Sequence, residues 1–186
     1  EHVVNASTHD YLLFFTNKGR VFRLKTYEVP AASLSAKGVA IVNLLQLQPE
    51  EMVSAVININ KTEKTGNLMM CTTHGVVKKT PFEQYQNVRS SGLIAINLDE
   101  GDELKWIRMT NSDNEVVIST SQGQAIRFHE KDVRPMGRVS RGVRGIRLRS
   151  GDRVIGMDIV EAGSSIFVIR KYCYGKRTIV AQFTPH

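Results

Sequence analysis

Apolar and polar residues along this chain alternate in short runs closed by polar turns, and the same succession of runs returns several times. The first run is Tyr11-Leu12-Leu13-Phe14-Phe15-Thr16, followed by Asn17-Lys18-Gly19 and then Arg20-Val21-Phe22-Arg23-Leu24-Lys25. A glycine turn between two apolar stretches predicts a hairpin, because glycine accepts the positive φ that a tight turn requires. In the second strand Phe22 and Leu24 alternate with Arg23 and Lys25, which predicts one buried face and one basic face. The phrase returns over residues 68–79, 116–128 and 166–177, with Gly75, Gly123 and Gly175 in the place of Gly19.

A second phrase follows each of the first three hairpins at a nearly constant distance. It reads Lys37-Gly38-Val39-Ala40-Ile41-Val42-Asn43-Leu44, then Ser91-Gly92-Leu93-Ile94-Ala95-Ile96-Asn97-Leu98, then Arg141-Gly142-Val143-Arg144-Gly145-Ile146-Arg147-Leu148. Aliphatic residues two apart (Val42 and Leu44, Ile96 and Leu98, Ile146 and Leu148) predict a strand with one face in the core. Arg144 shares the parity of Ile146 and Leu148, so it must either reach the rim or sit at an irregularity near Gly145. Polar turns at Glu100-Gly101-Asp102 and Ser150-Gly151-Asp152 lead to a last apolar strand, expected over 52–59, 104–109 and 154–160. Residues 26–29, 82–85 and 130–133 predict at most a short helical turn. The expected unit is therefore four strands in roughly 50 residues, the length of a propeller-like blade. The chain holds three such units and part of a fourth, a partial ring in a single repeat domain.

Composition sharpens this picture in one respect. Against 18 Asp plus Glu stand 25 Lys plus Arg, a net charge of +7 that points to a polyanionic partner, nucleic acid ahead of membrane. Five arginines fall between Val133 and Leu148 with no carboxylate among them. Guanidinium forks on glycine-rich turns suit a row of phosphates. No apolar run approaches the ~18 residues of a membrane span. Cys71 and Cys173 lie far apart in no metal-like spacing and read as buried, reduced thiols. His9, His74 and His129 form no ligand spacing, Trp106 and most phenylalanines read as core, and no catalytic constellation can be argued. The start lacks a methionine and reads as the inside of a longer chain.

Laid out in this way, the chain resembles the C-terminal domains of bacterial DNA gyrase A subunits. The resemblance rests most on Thr8-His9-Asp10-Tyr11-Leu12-Leu13-Phe14-Phe15-Thr16-Asn17-Lys18-Gly19-Arg20, on residues 37–45 and on residues 141–148. It implies an all-β pinwheel, propeller-like but with strands exchanged between blades, around whose basic rim duplex DNA wraps to support ATP-driven negative supercoiling. It implies as partners double-stranded DNA, the rest of the gyrase A subunit, plus the gyrase B subunit, with no membrane, no cofactor in this part and a cytoplasmic setting. The catalytic tyrosine and nucleotide site belong to other domains. The family's box, Gln-Arg-Arg-Gly-Gly-Lys-Gly, is not present; Ser33-Leu34-Ser35-Ala36-Lys37-Gly38 keeps only its last two residues. The related domain of topoisomerase IV is the nearest alternative, and a protein-interaction platform is the alternative of a different class.

The candidate DNA contacts are Lys37, Arg89, Arg138, Arg141 and Arg144 in the blade loops and second phrases. At the hairpins they are Lys18, Arg20, Lys79, Arg127, Lys176 and Arg177. For each of them a solvated surface cation is the competing reading, and the cluster from Arg138 to Arg147 is the strongest group.

Overall fold

The computed structural model describes residues 3–59, 65–161, 163–169 and 172–184. The first repeat contains β1 (Tyr11–Thr16), β2 (Arg20–Lys25) and β3 (Val53–Ile59). The second contains β4 (Asn67–Thr72), β5 (Val76–Pro81), β6 (Leu93–Ile94) and β7 (Leu104–Thr110). Next along the chain come β8 (Glu115–Thr120), β9 (Ala125–His129), β10 (Val143–Arg144) and β11 (Val154–Val160). A last hairpin pairs β12 (Ser165–Ile169) with β13 (Gly175–Ile179). Single turns of 3-10 helix close the hairpins at Thr26–Glu28, Phe82–Tyr85 and Glu130–Asp132, matching the short helical turns that the sequence predicts. Arg170 and Lys171, which the sequence assigns to the fourth hairpin, lie outside the described residues.

Sheet order corrects the self-contained four-strand unit expected from the spacing and agrees with the exchange of strands between blades that the resemblance implies. The sheets run β3-β1-β2-β6, β10-β5-β4-β7 and β11-β8-β9, with every pairing antiparallel. The second phrase therefore does not complete its own unit. Leu93 pairs with Val21 of the first hairpin, and Val143 pairs with Val77 of the second. Each segment is handed back to the preceding blade and is only two residues long as a strand, because it bends at once over that blade's turn glycine. The Gly19 carbonyl accepts the amides of Ala95 (2.8 Å) and Ile96 (3.2 Å), and the Gly75 carbonyl accepts those of Gly145 (2.8 Å) and Ile146 (3.3 Å). The first copy of the phrase has no described hairpin to receive it. It forms a 3-10 turn at Ile41–Asn43 instead of a strand and leaves Val42 exposed.

The apolar runs of β1, β4 and β8 are long because both faces of those strands are covered. Leu13 and Phe15 of β1 pack with Leu68 and Met70 of β4 between the first two blades. Met69 and Cys71 of β4 face the other way and pack with Val116 and Ile118 of β8. Burying such side chains contributes about 1.5–3 kcal/mol each. The expectation of one basic face on β2 fails for the same reason: Arg23 is half-buried, with its guanidinium 4.8 Å from the centre of the Tyr11 ring. Cys71 is buried, whereas Cys173, expected to be buried as well, is exposed in the last hairpin turn.

Candidate nucleic-acid interface

The sheets place β3, β7 and β11 on one side of the array, where β7 contacts both β3 and β11, and β6 and β10 at the opposite sheet edges. That opposite edge is the rim. The loops leading into β6 and β10 run along it, and they carry Arg89, Arg134, Arg138 and Arg141.

Successive rim segments are joined by hydrogen bonds. Asn97 Nδ2 donates to the Val139 carbonyl at 2.6 Å, and the Asn97 amide donates to the Ser140 carbonyl at 3.3 Å. An Arg138 guanidinium nitrogen reaches the Ile94 carbonyl at 3.4 Å, while the Arg138 amide donates to Gln84 Oε1 at 2.8 Å. Arg141 pairs with Asp99 at 2.5 Å. The segment handed to the first blade and the loop feeding the second thus form one continuous strip. Arg144, the last residue of β10, is exposed, and the strand stops before Gly145, one of the two outcomes that its parity allowed.

The candidates divide into exposed and internally committed cations. Lys18, Lys37, Arg89, Arg141, Arg144, Lys176 and Arg177 are exposed, and Arg138 is half-buried at the strip. Lys18 lies on a hairpin turn beside the loop containing Asp99 and Glu103, and Lys176 and Arg177 lie on β13.

Arg20, Lys79 and Arg127 are not free for a ligand. Arg20 pairs with the buried Glu51 at 2.7 Å, donates to the Ser91 carbonyl at 2.7 Å and lies over the Phe22 ring. Lys79 is buried; its amine donates to the Glu130 carbonyl at 2.6 Å, and burial lowers its pKa against the opposing pull of Glu130. Arg127 is held by Glu115 and by the carbonyls of Val180 and Phe183. All three tie blades to their neighbours, since strands between two covered faces have no solvent side to which a cation can escape.

Sequence reasoning missed the groups that brace the hairpin turns. The carboxylates of Asp102 and Asp152 are buried clamps as well as turn residues. Asp102 accepts from Thr73 Oγ1 and the His74 amide, both at 2.9 Å. Asp152 accepts from Thr120 Oγ1 at 2.6 Å, Ser121 Oγ at 2.8 Å and the Gln122 amide at 2.9 Å. The signal was present as a Thr at the end of each hairpin's first strand with an acid some thirty residues later (Thr16 and Glu51, Thr72 and Asp102, Thr120 and Asp152). Burial pushes the Asp152 pKa upward, but the donated hydrogen bonds outweigh it and hold it at about 2.

A family model described as the DNA gyrase C-terminal domain, beta-propeller, matches residues 10–60, 66–111 and 114–161, one match for each of the first three repeats. The chain belongs to that family. The DNA gyrase A subunit of Clostridium acetobutylicum is 48% identical over 183 residues, which cover 98% of this chain and 22% of that protein. The DNA gyrase A subunit of Staphylococcus aureus strain MRSA252 is 42% identical over 184 residues, covering 97% of this chain and 21% of that protein. Among solved structures, the C-terminal domain of DNA topoisomerase IV superposes with a TM-score of 0.88 at 30% identity, covering 96% of this chain and 56% of that one. The DNA gyrase A C-terminal domain gives a TM-score of 0.80 at 24% identity, a likeness of fold covering 97% of this chain and 58% of that one. The chain spans about a fifth of the length of the curated relatives it matches. Among the described residues no helix is long and apolar enough to cross a membrane.

Proposed function

We propose that this gyrase-family domain binds and bends duplex DNA along the strip formed by residues 94–99 and 137–144, as part of an ATP-dependent type IIA topoisomerase. Its protein partners are the remainder of the gyrase A subunit together with the gyrase B subunit. Its own role is not catalytic. The observation that carries this reading is the bonding of Asn97 to Val139 and Ser140, which fuses segments from successive repeats into one edge with exposed arginines beside it. Cations displayed on backbone fixed in this way meet phosphates without reading bases, so little sequence preference is expected. Bending a short duplex costs on the order of 1–6 kcal/mol, and many modest contacts repeated from blade to blade offset it.

Duplex affinity measured across salt concentration tests the proposal. Each phosphate contact contributes a slope of about −0.9 in log K against log salt. Arg138→Ala with Arg141→Ala should weaken binding and reduce the slope by up to about two contacts' worth. Wild-type chain that fails to bind duplex even at low salt sinks the proposal in favour of an acidic protein partner. The same role within topoisomerase IV is the second reading, favoured by the TM-score of 0.88 to that enzyme's domain. Supercoiling of relaxed plasmid by the reconstituted parent enzyme separates the two.

A further inference from the structure

Lys78 stands in β5 with no solvent exposure, and among the described residues its amine forms no ion pair with a carboxylate. Such a group is costly to bury, and a methionine would fill a similar volume without that penalty. Its hydrogen bonds show what the amine does. Nζ donates to the Ala95 carbonyl at 2.7 Å and also to the Arg138 carbonyl. The Tyr85 hydroxyl donates to the same Ala95 carbonyl at 3.1 Å. Ala95 belongs to the segment handed to the first blade, and Arg138 heads the loop feeding the second. A Cβ on Gly142 would lie 3.3 Å from Lys78 Cβ, so the loop returns across this same lysine.

We propose that Lys78 is a positioning residue for the DNA strip: its buried amine clamps the 137–141 loop to the 94–97 segment and so fixes the spacing at which Arg138 and Arg141 meet the duplex. The inference rests on the DNA-binding reading for its purpose, but not for its geometry. Protonated or neutral, the amine has an N–H donor for each of the two carbonyls, so the hydrogen-bonded clamp does not depend on its charge. The two bonds converge on backbone from two repeats that no covalent connection holds in register.

The clamp carries a pH signature. Burial first, and the neighbouring Arg138 charge second, lower the Lys78 pKa to about 8. The charged and titratable groups facing it are the Arg138 guanidinium and the Tyr85 phenol, which burial pushes up to about 12 and so keeps neutral between about pH 7 and pH 9. Met70 across β4 and Ala95 on the strip do not titrate. With the loop undocked, the amine would return toward its ordinary value near 10.5. The docked state then binds fewer protons above about pH 8, so docking strengthens as pH rises through that value.

Amide hydrogen exchange at Asn97 and Ser140, expressed as protection factors between about pH 7 and pH 9, tests the clamp in the whole chain. In the wild type, protection should rise across the interval; in Lys78→Met it should be low and independent of pH. Duplex affinity should fall about tenfold in Lys78→Met, and adding Arg138→Ala to that variant should cost less than it does in the wild type. A flat wild-type profile, or additive losses, overturns the inference. Should Lys78→Met fail to fold, Lys78→Gln and the wild-type profile decide the matter. Absence of duplex binding by the wild type would remove the DNA reading alone, leaving exchange to judge the clamp.

Discussion

A Cβ placed on Gly19 would lie 2.6 Å from the carbonyl oxygen of Ile96, a residue of the following repeat. Backbone therefore passes over the first hairpin turn at a distance only glycine permits, and the positive φ of +74° at Gly19 adds a second reason. Gly75 repeats the relationship, with Ile146 Cγ2 at 2.7 Å from the same imagined atom. At Gly123 the φ is +82°, but nothing lies within 4 Å. Gly19→Ala and Gly75→Ala should each cost about 2–4 kcal/mol through overpacking plus strain, and Gly123→Ala only about 1 kcal/mol through strain alone. Denaturant midpoints of the three variants check this; equal losses would show that conformation alone matters.

Arg20 reads in the sequence as a DNA contact, and the structure gives it a different task. Removing its side chain leaves the fully buried Glu51 carboxylate without its cation. Arg20→Ala should destabilise the chain by about 3 kcal/mol while leaving the salt slope of duplex binding unchanged under conditions where the variant is folded. Thermal unfolding together with a salt titration separates these two readouts.

Asp99 holds Arg141 in the absence of a ligand, with both side chains largely in water. An exposed pair of this kind contributes little to stability, so Asp99→Asn should leave unfolding unchanged. It also removes a negative charge from the strip and frees Arg141. Duplex affinity at low salt should rise about threefold, and an unchanged or lower value would take Arg141 off the contact surface.

Asp152 sets an acid limit for the third repeat. Its folded-state pKa of about 2 lies below the ordinary carboxylate value, so its stabilising effect is present above about pH 4 and lost as pH falls through 2. Exchange protection of the Ser121 and Gln122 amides should decay over that interval. In Asp152→Asn it should already be reduced at neutral pH, with a flatter acid profile.

Much of the architecture was legible because it is carried by periodicity. The last strand of each unit, expected over 52–59, 104–109 and 154–160, occurs at Val53–Ile59, Leu104–Thr110 and Val154–Val160. Turn glycines and short helical turns were equally visible. Periodicity did not show the destination of the second phrase, which only the family resemblance implied, because Leu93 and Val143 alternate in the same way whichever sheet edge receives them. Burial of Lys78 and Lys79 was hidden for a related reason: consecutive strand residues face opposite sides, and an alternating pattern cannot reveal that both sides are covered. Arg138, Arg141 and Arg144 stood out because no carboxylate interrupts their stretch, whereas Asp99, which meets Arg141, comes from the preceding repeat, some forty residues earlier.

The handing back of Leu93 and Val143 bears on how the protein is made. A ribosome releases the first hairpin long before the residues that finish its sheet, so each newly synthesised blade waits with one edge open until its successor emerges. Completion proceeds in one direction along the nascent chain, and a stall after residue 92 leaves β2 without the strand that covers it.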